Sequence, residues 1–477
     1  MLVGLATFEH LPVKVGGLSE AATALGEALA REHEVMVFMP SHGSHHQHRA
    51  EGRGLEEYAR FRILAREWQE VTVYETRRRN VRLFLFSNPV LDHPQVYVPR
   101  ENLVEKVFHF AKALPALLNV ILRKEARKPE VLHLNDWHSV LAGALARKYF
   151  RIPLVYTIHR IVRERVSVHD LAAMGLGEFV HDRFLDGEMF LLEPFGGDRC
   201  DYLTTVSFSY LNEEWSTFFG RYDGKVTYVW NGNDYSFWNP AHVQHATLPR
   251  RERRQALLRE QGLEDGIFFF NVGRLDREQK GIDVMLKAAE LVLEGQVEGA
   301  EEVRENLRLV VLGSGDPWLE ELLASMQERY PRHVKAIIGY LGREATRDFY
   351  GAADFCLVPS NFEPFGLVQL EAMCMGCVPI GTRVGGIKDT VLDLDEYNHE
   401  ATGKLVPPRD PAALGAAMVQ MARLARENPN LLDTIRHNGR VHVIDHFSWE
   451  RAAARYVQIY RNMATMKLPF ADYGEPY

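Results

Sequence analysis

The chain has 477 residues, 46% of them apolar, a length that suits two or three domains with substantial cores. A formal charge of −8 and a pI near 6.2 exclude a protein that grips nucleic acid through a general electrostatic field. Four cysteines exclude a disulfide scaffold, no apolar run approaches the ~20 residues that span a bilayer, and the first residues carry no basic leader before Glu9, so a cytoplasmic protein without membrane partners is expected.

Residues 1–7 read as a strand, followed by the loop Leu11-Pro-Val-Lys-Val-Gly-Gly17 and a helix with Leu18, Ala21, Ala22, Leu25 and Leu29 at helical spacing. Residues 34–40 read as the next parallel strand. This opening is Rossmann-like, but the loop is not G-x-G-x-x-G, which leaves nicotinamide binding unsupported. Adjacent Gly16 and Gly17 let a backbone approach a ligand closely, and their N–H groups with Lys14 suit phosphate oxygens. The plainer reading is a strand-to-helix turn with an exposed lysine. Residues 41–48 cluster imidazoles, yet no cysteine or carboxylate is placed to complete a metal set, so a polar loop at a strand end is expected. Residues 69–75 and 81–87 read as amphipathic strands, residues 103–124 as a long helix, and the basic runs 77–79 and 250–254 as solvated faces.

In Pro129-Glu-Val-Leu-His-Leu-Asn-Asp-Trp-His138 a strand over 131–134 delivers Asn135, Asp136, Trp137 and His138 to its carboxyl end, where open α/β sheets bind ligands. Residues 152–159 repeat the design and end on His159, either a satisfied core histidine or a site residue. Residues 201–207 give another strand ending in hydroxyl groups. The run Asn231-Gly-Asn-Asp234, leading to Pro240, has turn chemistry near the middle of the chain and marks an interdomain hinge. Residues 265–274 open a second strand–turn–helix series, in which Arg274 and Lys280 flank the loop and Gly281 begins the next helix. Cations are unusual at that positive end, which favours a functional role. Further strands are expected over 307–312, 334–340 and 353–359.

The last of these strands leads into Pro359-Ser-Asn-Phe-Glu-Pro-Phe-Gly-Leu-Val-Gln-Leu-Glu-Ala-Met373, with Val384-Gly-Gly-Ile387 beyond. Pro364 suits the first position of a helix, which would hold Glu363 beside a helix N-terminus and set Glu371 about two turns along. Cys374-Met-Gly-Cys377 reads as buried packing rather than a redox pair. In the tail, Trp449, Ala453, Tyr456 and Tyr460 fall on one helical stripe, expected to pack.

The E-x7-E pair Glu363 and Glu371 resembles the donor site of retaining GT-B glycosyltransferases. The longer string through Thr382-Arg-Val-Gly-Gly-Ile-Lys-Asp-Thr390 resembles the bacterial and archaeal glycogen/starch synthases. K-x-G-G-L at Lys14, H-x-x-D-W-H at His133, the Asn231–Pro240 linker and the Arg274/Lys280 pair occur in that family's order and extend the likeness over nearly the whole chain. The resemblance implies an α/β GT-B fold of two Rossmann-like domains facing a central cleft. Residues 1–238 would be the acceptor-side domain, 239–448 the nucleotide-sugar donor domain, and 449–477 a crossover helix and tail on the N-terminal domain.

The implied reaction carries glucose from ADP-glucose or UDP-glucose to the non-reducing 4-hydroxyl of an α-1,4-glucan, with retention and with no metal or prosthetic group. By the resemblance, Glu363 and the backbone N–H groups around Phe365, Gly366 and Leu367 bind the transferred glucose, and Glu371 binds the ribose. Asp136 and His159 hold the sugar, while Arg274, Lys280 and the loop of Lys14, Gly16 and Gly17 carry the leaving diphosphate. Cations aimed at that diphosphate would stabilise its growing charge without a metal. Glu363 as nucleophile and Glu363 as positioning group both stay open; front-face transfer assisted by the diphosphate is preferred. The chain departs from the family at Arg160, where Asn is usual, at Asn233, usually Ile or Val, and at Glu371, where many bacterial members carry Tyr. Residues 161–198 look closer to archaeal-type synthases. Three other readings keep the fold: a glucosyltransferase acting on a small sugar, of the sucrose- or trehalose-synthase kind; a non-catalytic sugar-nucleotide-binding regulator; and, most distant, a pyridoxal-phosphate phosphorylase.

Overall fold

A computed structural model describes residues 1–13, 15–46, 54–97 and 99–465; Lys14, Gln47, His48 and the tail beyond 465 lie outside the described residues. The chain forms two units. The first comprises Met1–Val206, Glu214–Gly232 and the C-terminal segment from Trp449; the second comprises Ser207–Glu213 and Asn233–Ser448.

In the first unit, strands β1 (Leu2–Ala6), β2 (Glu34–Pro40), β3 (Glu56–Leu64), β4 (Trp68–Arg78), β5 (Val81–Ser87), β6 (Val131–Asn135) and β7 (Leu154–Ile158) belong to one large sheet. A small antiparallel sheet of β8 (Arg165–Ser167), β9 (Leu185–Asp186) and β10 (Met189–Leu191) interrupts the series before β11 (Tyr202–Thr205) and β12 (Val226–Tyr228) complete the large one. Its order is β12-β11-β7-β6-β1-β2-β5-β4-β3, parallel except for the hairpin edge, where β4 runs antiparallel to both β5 and β3. β1, β6 and β7 are buried at every position, the continuous apolar pattern of strands covered on both faces. Chain order reverses between β1 and β6, so the loops after Ala6 and Asn135 open at the crevice where such sheets take ligands.

The helix Gly17–Leu29 buries the five apolar positions read from its spacing. The tail forms the helix Trp449–Thr465, and its stripe of Trp449, Ala453, Tyr456 and Tyr460 shares a core with Val3, Leu5, Val35 and Val37. The large side chains of that core each contribute roughly 1.5–3 kcal/mol by leaving water, and an alanine such as Ala453 about 0.8 kcal/mol or less. The polar ends are satisfied too: Tyr460 Oη lies 2.8 Å from His133 Nδ1, and His133 Nε2 lies 2.6 Å from Thr157 Oγ1. Burial lowers the His133 pKa to about 3, which keeps this core imidazole neutral.

The second unit is built on six parallel strands, β13 (Ile267–Val272), β14 (Leu307–Gly313), β15 (Val334–Ile338), β16 (Phe355–Val358), β17 (Val378–Thr382) and β18 (Lys404–Val406). Their order, β15-β14-β13-β16-β17-β18, is the doubly wound Rossmann order, with its switch point between β13 and β16.

The basic run at 250–254 departs from expectation. It opens the helix Arg250–Glu260, and Arg250 donates to the carbonyls of Met375 and Tyr350, each at 3.1 Å, and to that of Ala353, while Arg254 pairs with Asp354 at 2.9 Å. These carbonyls lie at the ends of the helices Gly342–Ala352 and Val368–Cys374, where backbone oxygens lack helical partners, so Arg250 serves as an internal cap and Arg254 as the partner of a buried carboxylate rather than as a solvated face. Arg78 and Arg79, by contrast, pair with Glu27 at the surface. Cys374 and Cys377 are buried, and burial pushes both thiols up to about 12, so they pack as neutral groups. Among the described residues, no helix is long and apolar enough to cross a membrane.

Candidate functional site

At the switch point of the second unit, two loops are stitched together. One follows β13 and runs through Arg274 to Gly281; the other follows β16 and runs from Pro359 to Leu367. Gly281 has φ of 59°, and a Cβ there would fall on the Pro359 carbonyl oxygen. The Asn361 N–H donates to the Gln279 carbonyl at 2.7 Å, and its side-chain amide to the Glu278 carbonyl at 3.0 Å.

This stitching sets Lys280 Nζ 2.6 Å from Glu363 Oε2, which also accepts from Ser360 Oγ at 3.2 Å. Among the described residues, Glu363 Oε1 has only the distant amide of Gln279, at 3.4 Å. The Glu363 side chain is 9% exposed and that of Lys280 25%, so the pair is largely withdrawn from water. Arg274 stands on the same loop, 55% exposed and 2.9 Å from Asp276. The arrangement offers a ligand an acceptor for hydroxyl groups and two cations for phosphate oxygens.

Glu363 does not lead directly into a helix, as the proline had suggested. Gly366 takes φ of 82°, a left-handed conformation that breaks any helix begun at Pro364, and the helix Val368–Cys374 starts beyond it. Pro364 instead presents its carbonyl to Ser207 Oγ at 2.5 Å. Glu371 therefore sits in the first helical turn rather than two turns along, buried, and accepts from Tyr350 Oη at 3.3 Å.

The double glycine buttresses the same loop. The Gly386 N–H donates to the Glu363 carbonyl at 2.9 Å, and a Cβ on Gly385 would fall on that oxygen. The Gly385 N–H donates to Glu213 Oε1 at 2.8 Å, across 172 positions of sequence. The short helix Phe208–Glu213 is fixed in turn by Asp389, which accepts the N–H of Phe208 at 2.7 Å and of Ser209 at 3.1 Å.

In the first unit, the ends of β6 and β7 meet. Asp136, with φ of 55°, accepts the His159 N–H on Oδ1 at 2.7 Å. His159 Nε2 lies 3.1 Å from Asn135 Oδ1, while the Asn135 amide nitrogen donates to the Ala6 carbonyl. Asn135 Oδ1 is thus the acceptor, which puts the imidazole proton on Nε2. Burial lowers the His159 pKa to about 4, so the ring is neutral at pH 7. Burial raises the Asp136 carboxyl to about 7, against the opposing pull of the His159 and Arg160 amides. Trp137 is buried and stacks on His138, ring centroids 4.0 Å apart, so it supports the loop.

The glycine loop is engaged internally. Glu9 Oε2 accepts the N–H groups of Val15 and Gly16 at 2.8 and 2.9 Å, and Gly17 opens the following helix. In the polar loop after β2, His42 Nε2 meets the Phe8 carbonyl at 2.9 Å, and His45 Nδ1 lies 3.2 Å from Ser41 Oγ.

The raised Asp136 pKa has a testable consequence. The folded state retains a proton that the unfolded chain releases near pH 4, so this group's contribution to stability declines as pH rises from about 4 through about 7. Asp136→Asn removes that titration. The drop in Tm between pH 5 and pH 8 is expected to be smaller in the variant than in the native chain; an unchanged drop would show that Asp136 titrates normally.

Gln279, Ser360, Tyr350, Gln369 and Glu213 escaped the sequence reading. Gln279 and Ser360 adjoin residues that were singled out, a signal that proximity could have supplied. Glu213 carries no local signal, because its partner Gly385 is remote in sequence.

Residues 3–226 match the family model described as starch synthase catalytic domain, and residues 266–423 match glycosyl transferases group 1. The chain is 30% identical to glycogen synthase 2 of Rhizobium meliloti, covering 96% of each protein. Among solved structures, the catalytic domain of starch synthase IV from Arabidopsis thaliana, bound to ADP and acarbose, is similar with a TM-score of 0.83 at 20% identity, covering 98% of this chain and 99% of that one. Sucrose-phosphate synthase from Thermosynechococcus elongatus is similar with a TM-score of 0.63 at 22% identity, covering 97% and 99%. These structural likenesses are of fold, and the fold is GT-B.

Proposed function

We propose, because this chain belongs to the glycogen and starch synthase family, that its Lys280–Glu363 pair is the centre at which glucose leaves a nucleoside diphosphate for an α-1,4-glucan. The protein is a glucosyltransferase of glycogen synthesis. The observation that carries the assignment of the centre is the placement of an acidic and a basic side chain, 2.6 Å apart and largely dehydrated, on the two loops that flank the switch point of a Rossmann sheet.

The chemistry follows from what must be stabilised. When the C1–O bond of the donor breaks, the electron pair leaves with the diphosphate, and positive charge develops on the sugar. Lys280 and Arg274 take the phosphate charge, with preorganised groups that need no rearrangement at the moment of reaction. Glu363 holds hydroxyls of the glucose through its lightly engaged Oε1. The 4-hydroxyl of the glucan attacks the face that the diphosphate is leaving, and its proton passes to a diphosphate oxygen, so the α configuration is kept. Glu371 takes the ribose, and Asp136 and His159 take sugar hydroxyls. Gly16, Gly17 and Lys14 take the diphosphate once Glu9 releases the loop. Nucleotide sugars are cytoplasmic metabolites, and we place the enzyme there.

The test is transfer of radiolabelled glucose to glycogen from ADP-glucose and UDP-glucose in parallel, with Lys280→Ala as control. Incorporation by the native chain, at least about 10²-fold faster than by the variant, is expected from the loss of one preorganised charge, and the better donor names the nucleotide. Silence with both donors overturns the reading. Transfer to glucose but not to glycogen would move the assignment to a small-sugar acceptor.

A further inference from the structure

We infer that Gln369 is a positioning residue that turns the N–H groups of Gly366 and Leu367 toward the bound donor. The inference rests on the glucosyltransferase reading for the identity of the ligand, though not for the geometry. Gln369 is fully buried, and its Nε2 lies 3.0 Å from the Phe365 carbonyl oxygen and 2.8 Å from that of Gly366. A trans peptide is planar, with its C=O and N–H pointing in opposite directions. The Phe365 carbonyl shares a plane with the Gly366 N–H, and the Gly366 carbonyl shares one with the Leu367 N–H. Holding both carbonyls toward Gln369 therefore aims both N–H groups away from it.

The backbone agrees by an independent route. Gly366 is left-handed at φ of 82°, and Leu367 is right-handed at φ of −97° and ψ of −26°. That alternation sets successive N–H groups on one side of the chain, as in anion-binding nests. Among the described residues, neither N–H donates to a protein acceptor. Two donors left open, three and four residues after Glu363, are what a sugar nucleotide's oxygens require.

An amide is needed at position 369 for a chemical reason. Thr390 Oγ1, 3.0 Å from the same Nε2, donates its proton to the Gly386 carbonyl at 2.7 Å and so faces Gln369 as an acceptor. The nitrogen thus serves three oxygens, and a carboxylate there would set lone pairs against all of them. A Cβ on Gly366 would come within 2.5 Å of Gln369 Oε1 and 3.0 Å of the Glu363 side chain, so glycine, glutamine and the acid form one close-fitted group.

The experiment uses Gln369→Met in the full chain, which keeps the side chain's length and removes its donors. Three quantities are read: the thermal unfolding transition, kcat and KM for glycogen and sugar nucleotide, and the direction of the 365–366 and 366–367 peptide planes in a crystal structure of the variant. The expected result is a folded protein whose kcat falls about 10²-fold, the usual loss when an aimed donor is removed, with KM for glycogen unchanged and at least one plane rotated. A kcat within threefold of native, or both planes unmoved, overturns the inference. If Gln369→Met fails to unfold cooperatively, Thr390→Val replaces it: a kcat fall of about tenfold supports the inference and an unchanged kcat overturns it. Should the native chain transfer no glucose, the parent reading fails, and the peptide planes alone decide this one.

Discussion

Alanine at Glu363 is expected to lower the rate of glucose transfer by about 10³-fold or more in a protein that still folds. Two losses combine. The carboxylate that would hold the sugar is gone, and electrostatic groups aimed at a reacting centre contribute about 10²–10³-fold each. The Lys280 ammonium also loses its partner at 2.6 Å while remaining three-quarters buried. Stranding one member of a fully buried pair costs about 3–5 kcal/mol; the partial exposure of Lys280 places this case below that range. The second loss can be separated from the first by Glu363→Ala combined with Lys280→Met, which strands no charge. The double variant is expected to recover much of the Tm lost by the single one and none of the activity. Initial rates and thermal melts on the four proteins of that cycle make the check. Activity of Glu363→Ala within tenfold of native would place the chemistry elsewhere.

Gly385→Ala should produce the next largest effect, although Gly385 carries no side chain that touches a ligand. Its φ of 40° already disfavours alanine, and the new methyl would fall on the carbonyl oxygen of Glu363. Both obstacles are backbone, so no side chain can swing aside to relieve them. The loop bearing Glu363 must shift, and the bond from the Gly386 N–H to the Glu363 carbonyl is strained with it. Displacement of a reacting group by about 1 Å costs on the order of 10² in rate. We expect kcat/KM to fall by about that factor, with a cooperative melt retained. A variant with native kinetics would show that the double glycine is not tied to the position of Glu363.

Much of this architecture was legible in the residues because the relevant physics is local. Strands such as β2 and β5 were bounded correctly, since short apolar runs between turn residues leave few alternatives. The tail helix was legible through its stripe of Trp449, Tyr456 and Tyr460, and alternating strand and helix patterns indicated an α/β fold. Pro364 misled for a physical reason. The preference of proline for a first helical turn is a local effect, whereas the left-handed turn at Gly366 goes with the close packing of Glu363 and Gln369 around it. The arginines at 250–254 misled similarly, because a charge run looks the same whether it faces water or the carbonyl ends of two helices. Gln369 was in plain view inside the motif, but its role depends on the direction of two peptide planes, which no residue pattern encodes.

The chain passes between the two units four times, after Val206, Glu213, Gly232 and Ser448. Contiguous inheritance and structural unit therefore do not coincide. A genetic crossover at any single codon would deliver a second unit without its own Ser207–Glu213 strap, which holds Gly385, or a first unit without its own helix over Val3 and Leu5. Recombination that exchanges one unit intact must therefore cut at several places at once.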